Sequence, residues 1–220
     1  MKIATWNIER LKHSARLNLI TNAIDNLQAD ICVLTETDSR VNAKNYKHCI
    51  ASPSLELHRP GYYKATENRV TILTNHEIIK QYPTYDLYTS LCVELKTPSG
   101  NLLVYGTIIG IYGNRHPNFK EDLVQQMADM EKFASGNNFC LAGDYNLSFS
   151  DKYYFTSFGR SEIEKSFEKN KIKLLTRQAK NCIDHIAVSS GFFKSCEEPP
   201  FEWNESKTLS DHKGICITIF

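Results

Sequence analysis

The chain has 220 residues, of which 41% are hydrophobic and 23% charged, and its formal net charge is +1. This composition is typical of a folded globular protein and excludes a disordered or collagen-like chain. A net charge so close to zero excludes a protein that holds nucleic acid by bulk charge alone, since that mode needs a large basic excess. No apolar run approaches the roughly 18 residues of a membrane span, so we expect no membrane association.

The cysteines and the first residues bear on the compartment. The seven cysteines contain no C-x-x-C pair, and Cys32, Cys92, Cys140 and Cys216 lie inside apolar runs. This pattern predicts buried, reduced thiols, with a catalytic thiol or a zinc site as the alternative. The chain enters a strand pattern at once with no secretory signal, so we expect a cytoplasmic protein.

Short β-rich runs recur along the chain, bounded by Gly, Asn, Asp and Pro. They cover residues 2–6, 30–34, 69–73, 91–96, 102–111, 139–142, 183–188 and 214–219, with a hairpin turn at 98–101. Apolar residues at three- to four-residue spacing predict helices over 14–27 and after a capping Asn118, and a third helix is expected over 161–170. No repeat, linker or composition change interrupts the chain, which predicts a single domain over 1–220. Because strands outnumber helices, two packed sheets with helices on their outer faces are expected.

Acids and amides appear where the apolar strands begin or end. They are Asn7, Glu9, Glu36, Asp144, Asn146, Asp184, Asp211 and His212. Each one alone is typical of a turn or a helix cap, but converging strand ends would gather them into one site. Hard oxygen ligands of this kind suit Mg²⁺, with Mn²⁺ as a substitute, because Mg²⁺ takes one or two carboxylates, waters and substrate phosphate oxygens. The lack of Cys/His spacing argues against zinc.

Five short motifs occur in a fixed order: W-N-I-E from Trp6, T-E-T around Glu36, G-D-Y-N around Asp144, I-D-H-I around Asp184, and S-D-H ending at His212. This ordered set resembles the endonuclease/exonuclease/phosphatase superfamily, the deoxyribonuclease-I-like fold, over nearly the whole chain. The resemblance implies an α/β four-layer sandwich of two packed, mainly antiparallel sheets flanked by helices. It also implies metal-dependent hydrolysis of phosphate esters.

The resemblance assigns roles to the matched residues. Glu36, Asp211 and Asn7 match the metal site, and Asp144, Asn146, Asp184 and His212 match the catalytic set. Glu9 lies where several relatives have a nearby acid, and we expect it at the substrate. Trp6 and Tyr145 are read as packing residues, and His185 as a strand histidine.

Two bases are available to deprotonate the attacking water. Asp144 is one; His212, held by Asp184, is the other, although an Asp–His pair favours the imidazolium. We favour Asp144 as the base and Asp184–His212 as a cationic phosphate clamp, with Asn7 and Asn146 donating hydrogen bonds.

One departure from the family pattern concerns the leaving group. Many relatives carry a His or Tyr after the middle strand, whereas residues 104–117 place no histidine in that position. Tyr112 and His116 are the candidates to replace it, with a loop surface as the alternative.

The substrate is expected to be nucleic acid or another phosphate ester. Lys169, Lys171, Lys173, Arg177 and Lys180 form a basic stretch, and the loop 40–48 mixes Lys44, Tyr46 and Lys47, a pattern typical of backbone tracking and base stacking. The alternative for these residues is a solvated lysine-rich face. Besides a nuclease, a phosphatase for a small metabolite or lipid headgroup and a non-catalytic binding module stay open.

Overall fold

The computed structural model describes residues 1–12 and 14–220. Its strands are β1 (Lys2–Asn7), β2 (Ile31–Asp38), β3 (His48–Ala51), β4 (Glu67–Thr74), β5 (Glu77–Tyr82), β6 (Ser90–Thr97), β7 (Gly100–Ile108), β8 (Phe139–Asp144), β9 (Ile172–Leu174), β10 (Asp184–Ser189), β11 (Phe201–Trp203) and β12 (Gly214–Thr218). The helices are α1 (Leu17–Leu27), α2 (Leu55–His58), α3 (Phe119–Ala134) and α4 (Ser157–Lys169). Two 3₁₀ turns, Glu9–Leu11 and Ser14–Arg16, precede α1.

The strands form two six-stranded sheets. The first sheet has the order β11-β12-β1-β2-β4-β3 and the second has the order β5-β6-β7-β8-β10-β9. Each contains one parallel pair, β1 with β2 and β7 with β8, and its other pairs are antiparallel. The carboxyl ends of a parallel pair lie at the same edge of a sheet, so Asn7 and Asp144, the last residues of β1 and β8, each lie at such an edge.

Three apolar clusters separate the layers. The central one lies between the sheets and takes alternate residues of both, such as Val33 and Val70 from the first and Val104 and Ala142 from the second. A second cluster joins the outer face of β7 and β8 to α3 and α4, and a third joins β1 and β2 to α1. Alternation along the central strands buries both of their faces, which confirms the four-layer sandwich.

The four strands that the sequence did not predict are β3, β5, β9 and β11, and these are the four edge strands. An edge strand is short or half-exposed, so it lacks the continuous apolar run that marks a central strand. The predicted strand over 102–111 ends at Ile108, and the loop after it contains Gly110 at φ +66°.

The helices agree with prediction except at their ends. The first turn of the helix expected over 14–27 is a 3₁₀ turn, and α4 begins at Ser157, four residues before the predicted start. Asn118 directly precedes α3, but its side chain makes no capping bond there, so the predicted cap is wrong. Its backbone N–H donates instead to Nδ1 of His116 at 3.2 Å.

The four cysteines in apolar runs are buried and unpaired, as predicted. Within the described ranges, no helix has both the length and the apolar character that crossing a bilayer requires.

His185 is buried in β10, as a strand histidine should be, between Leu147 and Thr176. Its Nε2 lies 2.9 Å from the Leu147 carbonyl and its Nδ1 lies 3.0 Å from the Thr176 hydroxyl. A carbonyl can only accept, so the proton sits on Nε2 and Nδ1 accepts from Thr176. Burial lowers the pKa of His185 to about 4, against an unfolded value of 6.5.

This burial predicts an acid-sensitive fold. Below pH 6.5 the unfolded chain protonates His185 while the folded chain does not, so the free energy of unfolding falls until about pH 4, by up to about 3 kcal/mol. His185→Gln removes that part of the slope. Urea unfolding at a series of pH values should therefore give a smaller drop between pH 7 and pH 4 for the variant than for the wild type. Equal drops in both proteins would contradict this assignment.

Candidate active site

The two sheets meet at the candidate site through one hydrogen bond. Asn7 ends β1, Asp144 ends β8, and both lie on the inner faces of their sheets, where the apolar core stops. The Asn7 side-chain amide donates to Oδ2 of Asp144 at 3.1 Å, and its Oδ1 accepts from the Glu9 backbone at 2.9 Å. Both side chains are almost fully buried. This contact fixes the Asp144 carboxylate from the opposite sheet.

The glycine before Asp144 has a steric reason. Gly143 has φ +143°, and a Cβ there would lie 2.0 Å from the Thr107 carbonyl oxygen of the neighbouring strand β7. Glycine therefore allows the close parallel pairing that carries Asp144 to the site.

Asp184 faces Asp144 directly across the ladder between β10 and β8. Two carboxylates in such a pair repel each other, and this pair is compensated by His212. Its Nδ1 lies 2.6 Å from Oδ2 of Asp184, while Oδ1 of Asp184 is buried without a hydrogen-bond partner among the described residues.

The pKa shifts follow from this crowding. Burial raises the pKa of the Asp144 carboxyl, the Asp184 charge raises it further, and His212 opposes both. Burial would lower the pKa of His212, but the carboxylates of Asp184, Asp144 and Asp211 outweigh it and raise the net value. His212 is therefore an imidazolium at neutral pH, which makes it a cation and a hydrogen-bond donor at this position.

The S-D-H loop is tied to the end of β1 by three hydrogen bonds. The Ser210 hydroxyl donates to the Asn7 carbonyl at 2.6 Å, and the Trp6 indole donates to the His212 carbonyl at 3.1 Å. The Asp211 backbone N–H donates to Oε2 of Glu9 at 2.9 Å. Trp6 thus packs, as predicted, and also anchors His212. Glu9, expected at the substrate, holds the Asp211 backbone.

Glu36 meets an arginine instead of open solvent. Arg10 Nη1 lies 2.5 Å from Oε2 of Glu36, and the Arg10 guanidinium also lies 5.8 Å from the centre of the Tyr63 ring. Glu9, Arg10 and Leu11 have φ of 50°, 50° and 51°, and Glu36 has φ 43°. Such left-handed non-glycine residues are strained and cluster at functional sites.

Asn146 supports the site through its backbone and its amide. Its N–H donates to Oδ1 of Asp144 at 2.9 Å, whereas its side-chain nitrogen donates to the carbonyls of Ile109 and Gly110. Both amide protons therefore face the loop after β7. Asn146 therefore orients Asp144 through its backbone N–H.

A cavity of about 220 Å³ lies against this arrangement. Among its lining residues are Asn146, Tyr153, Tyr154, Asp184, Lys207 and His212. Tyr112 and His116 lie elsewhere, with their ring centres 4.6 Å apart. Together with Asp122 they line a separate cavity of about 200 Å³. The candidates for the missing middle-strand residue are therefore not brought to the site.

The predicted basic surfaces are partly neutralised. Lys169 pairs with Glu131 at 2.6 Å and Arg177 pairs with Glu164 at 2.7 Å. In the loop 40–48, Arg40 pairs with Asp38, and Tyr46 is half-buried against α1.

Comparison with known proteins agrees with the geometry. Residues 4–212 match the Endonuclease/Exonuclease/phosphatase family. The chain belongs to this family. Endonucleases, exonucleases and phosphatases all hydrolyse phosphate esters, so the family assigns the chain to the phosphoesterases. No curated protein sequence matches it.

Solved structures share the fold of this family member at low identity. An endonuclease/exonuclease/phosphatase from Beutenbergia cavernae is 16% identical with a TM-score of 0.74, covering 100% of this chain and 71% of that one. A 3′ phosphatase from Neisseria, bound to a product DNA hairpin, is 17% identical with a TM-score of 0.70, covering 100% and 99%. The endonuclease domain of TRAS1, a telomere-specific retrotransposon, is 15% identical with a TM-score of 0.68, covering 99% and 97%.

Sequence reasoning missed Arg10, Tyr154 and Lys207. Arg10 directly follows Glu9, the last residue of the first motif, and this position could have marked it as a site residue. Its contact with Glu36 depends on the left-handed turn, which the sequence does not predict. Tyr154 and Lys207 lie in loops with no motif, and nothing in the sequence pattern marks them.

Proposed function

We propose that this family member is a divalent-metal-dependent phosphodiesterase that cleaves nucleic acid. The observation that carries the proposal is the meeting of two groups in one buried corner: the Asp144 carboxylate fixed by Asn7, and the Asp184–His212 pair. A carboxylate with a raised pKa can act as a general base, and a fixed imidazolium beside it can bind an anionic phosphate oxygen. The unpaired cysteines support a reducing cytoplasm as its compartment.

The residues present fit Mg²⁺ or Mn²⁺ better than zinc. Partial burial raises the pKa of the Asp211 carboxyl, and Glu9 and Glu36 add to the rise, so negative charge accumulates here. The described ranges contain no group of three or more His, Cys, Asp or Glu arranged to hold an ion. Mg²⁺ needs only one or two carboxylates together with waters and phosphate oxygens, and Glu36 and Asp211 supply them. When bound, the cation contributes positive charge at the phosphate.

The side chains of the site have separate roles in the reaction. His212, as an imidazolium, donates from Nε2 to a phosphate oxygen, because its Nδ1 is engaged by Asp184. Asp144 accepts the proton of the attacking water, and its raised pKa makes it a stronger base than an ordinary aspartate. Asn7 and the Asn146 backbone hold both Asp144 oxygens, so the carboxylate is oriented before substrate arrives.

A phosphomonoesterase is the second candidate. The cavity of about 220 Å³ that His212 lines is small, and Lys207 and Lys213 form its cationic boundary. A terminal phosphate fits such a space as well as a backbone phosphate does.

A panel of substrates separates these functions. Purified protein with Mg²⁺ or Mn²⁺ is given labelled single-stranded and duplex oligonucleotides, oligonucleotides ending in a 3′ phosphate, bis-p-nitrophenyl phosphate and p-nitrophenyl phosphate. Diester cleavage is expected, with loss of about 10³-fold in Asp144→Asn, because general base catalysis is worth roughly 10²–10⁴-fold. Turnover of monoesters alone would favour the second candidate.

The matched control is Asp129→Asn, which removes a buried carboxylate that binds the Tyr105 hydroxyl on the outer face of the second sheet. It should retain turnover. Diester cleavage that survives both Asp144→Asn and excess chelator would contradict the proposal.

Arg10 gives a prediction about the metal itself. Its guanidinium holds Oε2 of Glu36, so a cation that takes this oxygen must displace it. A half-exposed ion pair is worth up to about 1 kcal/mol, so Arg10→Met should bind Mn²⁺ roughly fivefold more tightly in calorimetry without substrate. Arg40→Met, which removes an arginine from Asp38, is the control and should not change the affinity. Equal or weaker Mn²⁺ binding in Arg10→Met would show that Glu36 is not the metal ligand.

A further inference from the structure

The loop after β7 brings no side chain to the catalytic cavity. Gly110 is the second residue past the strand end, and a Cβ there would lie 2.2 Å from the Phe119 ring. A side chain larger than hydrogen is therefore excluded from this position unless α3 moves. Tyr112 and His116 line the other cavity, and neither is among the residues that line the cavity of His212.

Tyr154 approaches the same loop from the opposite direction. It belongs to the segment between β8 and α4, where its backbone is pinned to Ser148. The Ser148 N–H donates to the Tyr154 carbonyl at 2.7 Å, and the Tyr154 N–H donates to the Ser148 hydroxyl at 3.2 Å. The Arg160 guanidinium donates to the Ser148 carbonyl at 2.6 Å, which holds this turn against α4. The backbone from which the Tyr154 side chain extends is therefore held in place.

The Tyr154 hydroxyl lies over Gly113. A Cβ at position 113 would stand 2.4 Å from that hydroxyl, and Gly113 has φ +82°. Glycine is thus required here both by the backbone and by the space that the hydroxyl fills. The next residue, Asn114, donates to the Asn146 carbonyl at 3.1 Å, so the hydroxyl lies beside the loop that supports the Asp144 motif.

The hydroxyl is also available. Tyr154 lines the cavity that contains His212, Asp184 and Lys207. Within residues 1–12 and 14–220, no group forms a hydrogen bond with its hydroxyl. The neighbouring Tyr153 differs in this respect, because its hydroxyl accepts from Lys207 at 2.8 Å. A half-buried, unengaged hydroxyl in a catalytic cavity is a donor to whatever fills it.

We propose that Tyr154 is the general acid that protonates the leaving oxygen, taking the place of the missing middle-strand residue; this rests on the proposed phosphoesterase function. Water oxygen bonds to phosphorus and gives its proton to Asp144. The bond from phosphorus to the leaving oxygen breaks with its electron pair on that oxygen, which takes the Tyr154 proton. The tyrosinate then regains a proton from solvent, and Asp144 releases one.

The test varies the leaving group. Thymidine 5′-(aryl phosphates) are hydrolysed with phenols from 2,4-dinitrophenol, which departs without help, to unsubstituted phenol, which needs a proton. For Tyr154→Phe, kcat should fall less than about threefold with dinitrophenol and about 10²-fold or more with phenol, since general acid catalysis contributes roughly 10²–10⁴-fold. The plot of log kcat against phenol pKa should steepen accordingly.

Two further variants keep the result unambiguous. Gly113→Ala displaces the hydroxyl without removing it and should steepen the plot in the same direction. Tyr153→Phe removes the adjacent hydroxyl and should keep the wild-type slope. A Tyr154→Phe loss that is uniform across all phenols would overturn the assignment while leaving the phosphoesterase function standing. Failure of the wild type to hydrolyse any of these esters would overturn both.

Discussion

The bond from Asn7 to Asp144 joins the two sheets at the point where their shared apolar core ends. Each residue is the last of a strand that is paired in parallel, so neither can shift along its strand without breaking the adjacent ladder. The Asp144 carboxylate therefore takes its orientation from one sheet and its position from the other. Any change in how the sheets pack is transmitted directly to the Asp144 oxygens.

The concentration of negative charge at the site is the second constraint on the structure. Asp144 and Asp184 lie opposite each other, and Glu9, Glu36 and Asp211 lie close enough to influence one another electrostatically. The fold tolerates this concentration of negative charge because cations lie beside the carboxylates. His212 pairs with Asp184 and lies 3.7 Å from Asp211, while Arg10 pairs with Glu36 and Lys12 pairs with Glu9. Such a site stores repulsion that a bound cation would relieve. The left-handed backbone at Arg10 and Glu36 costs conformational free energy locally, and the rest of the fold offsets that cost.

The sequence predicted the central architecture, and it predicted that Asn7, Asp144, Asp184 and His212 lie close together, since buried strands and short acidic motifs leave a periodic or ordered pattern. It failed where the determinant is three-dimensional. The edge strands β3, β5, β9 and β11 lack the apolar run of a central strand. The Asn118 cap was wrong because Asn118 has a helical backbone, with φ −76° and ψ −8°, whereas a capping side chain usually extends from a β-region residue. Arg10 reaches Glu36 only through a left-handed turn, and Tyr154 reaches the cavity from a loop without a motif. Tyr112 and His116 have side chains that can donate a proton, but they line a separate cavity.

We propose that Asn7, Glu36, Asp144 and the Asp184–His212 pair form one phosphate site around a metal. A crystal structure with Mn²⁺ and inorganic phosphate, read by the anomalous signal of manganese, is the most direct test. We expect a manganese peak about 2.2 Å from a Glu36 oxygen, Arg10 released from that carboxylate, and phosphate in hydrogen-bond contact with His212. Manganese and phosphate bound at separate places, with Arg10 still on Glu36, would contradict it.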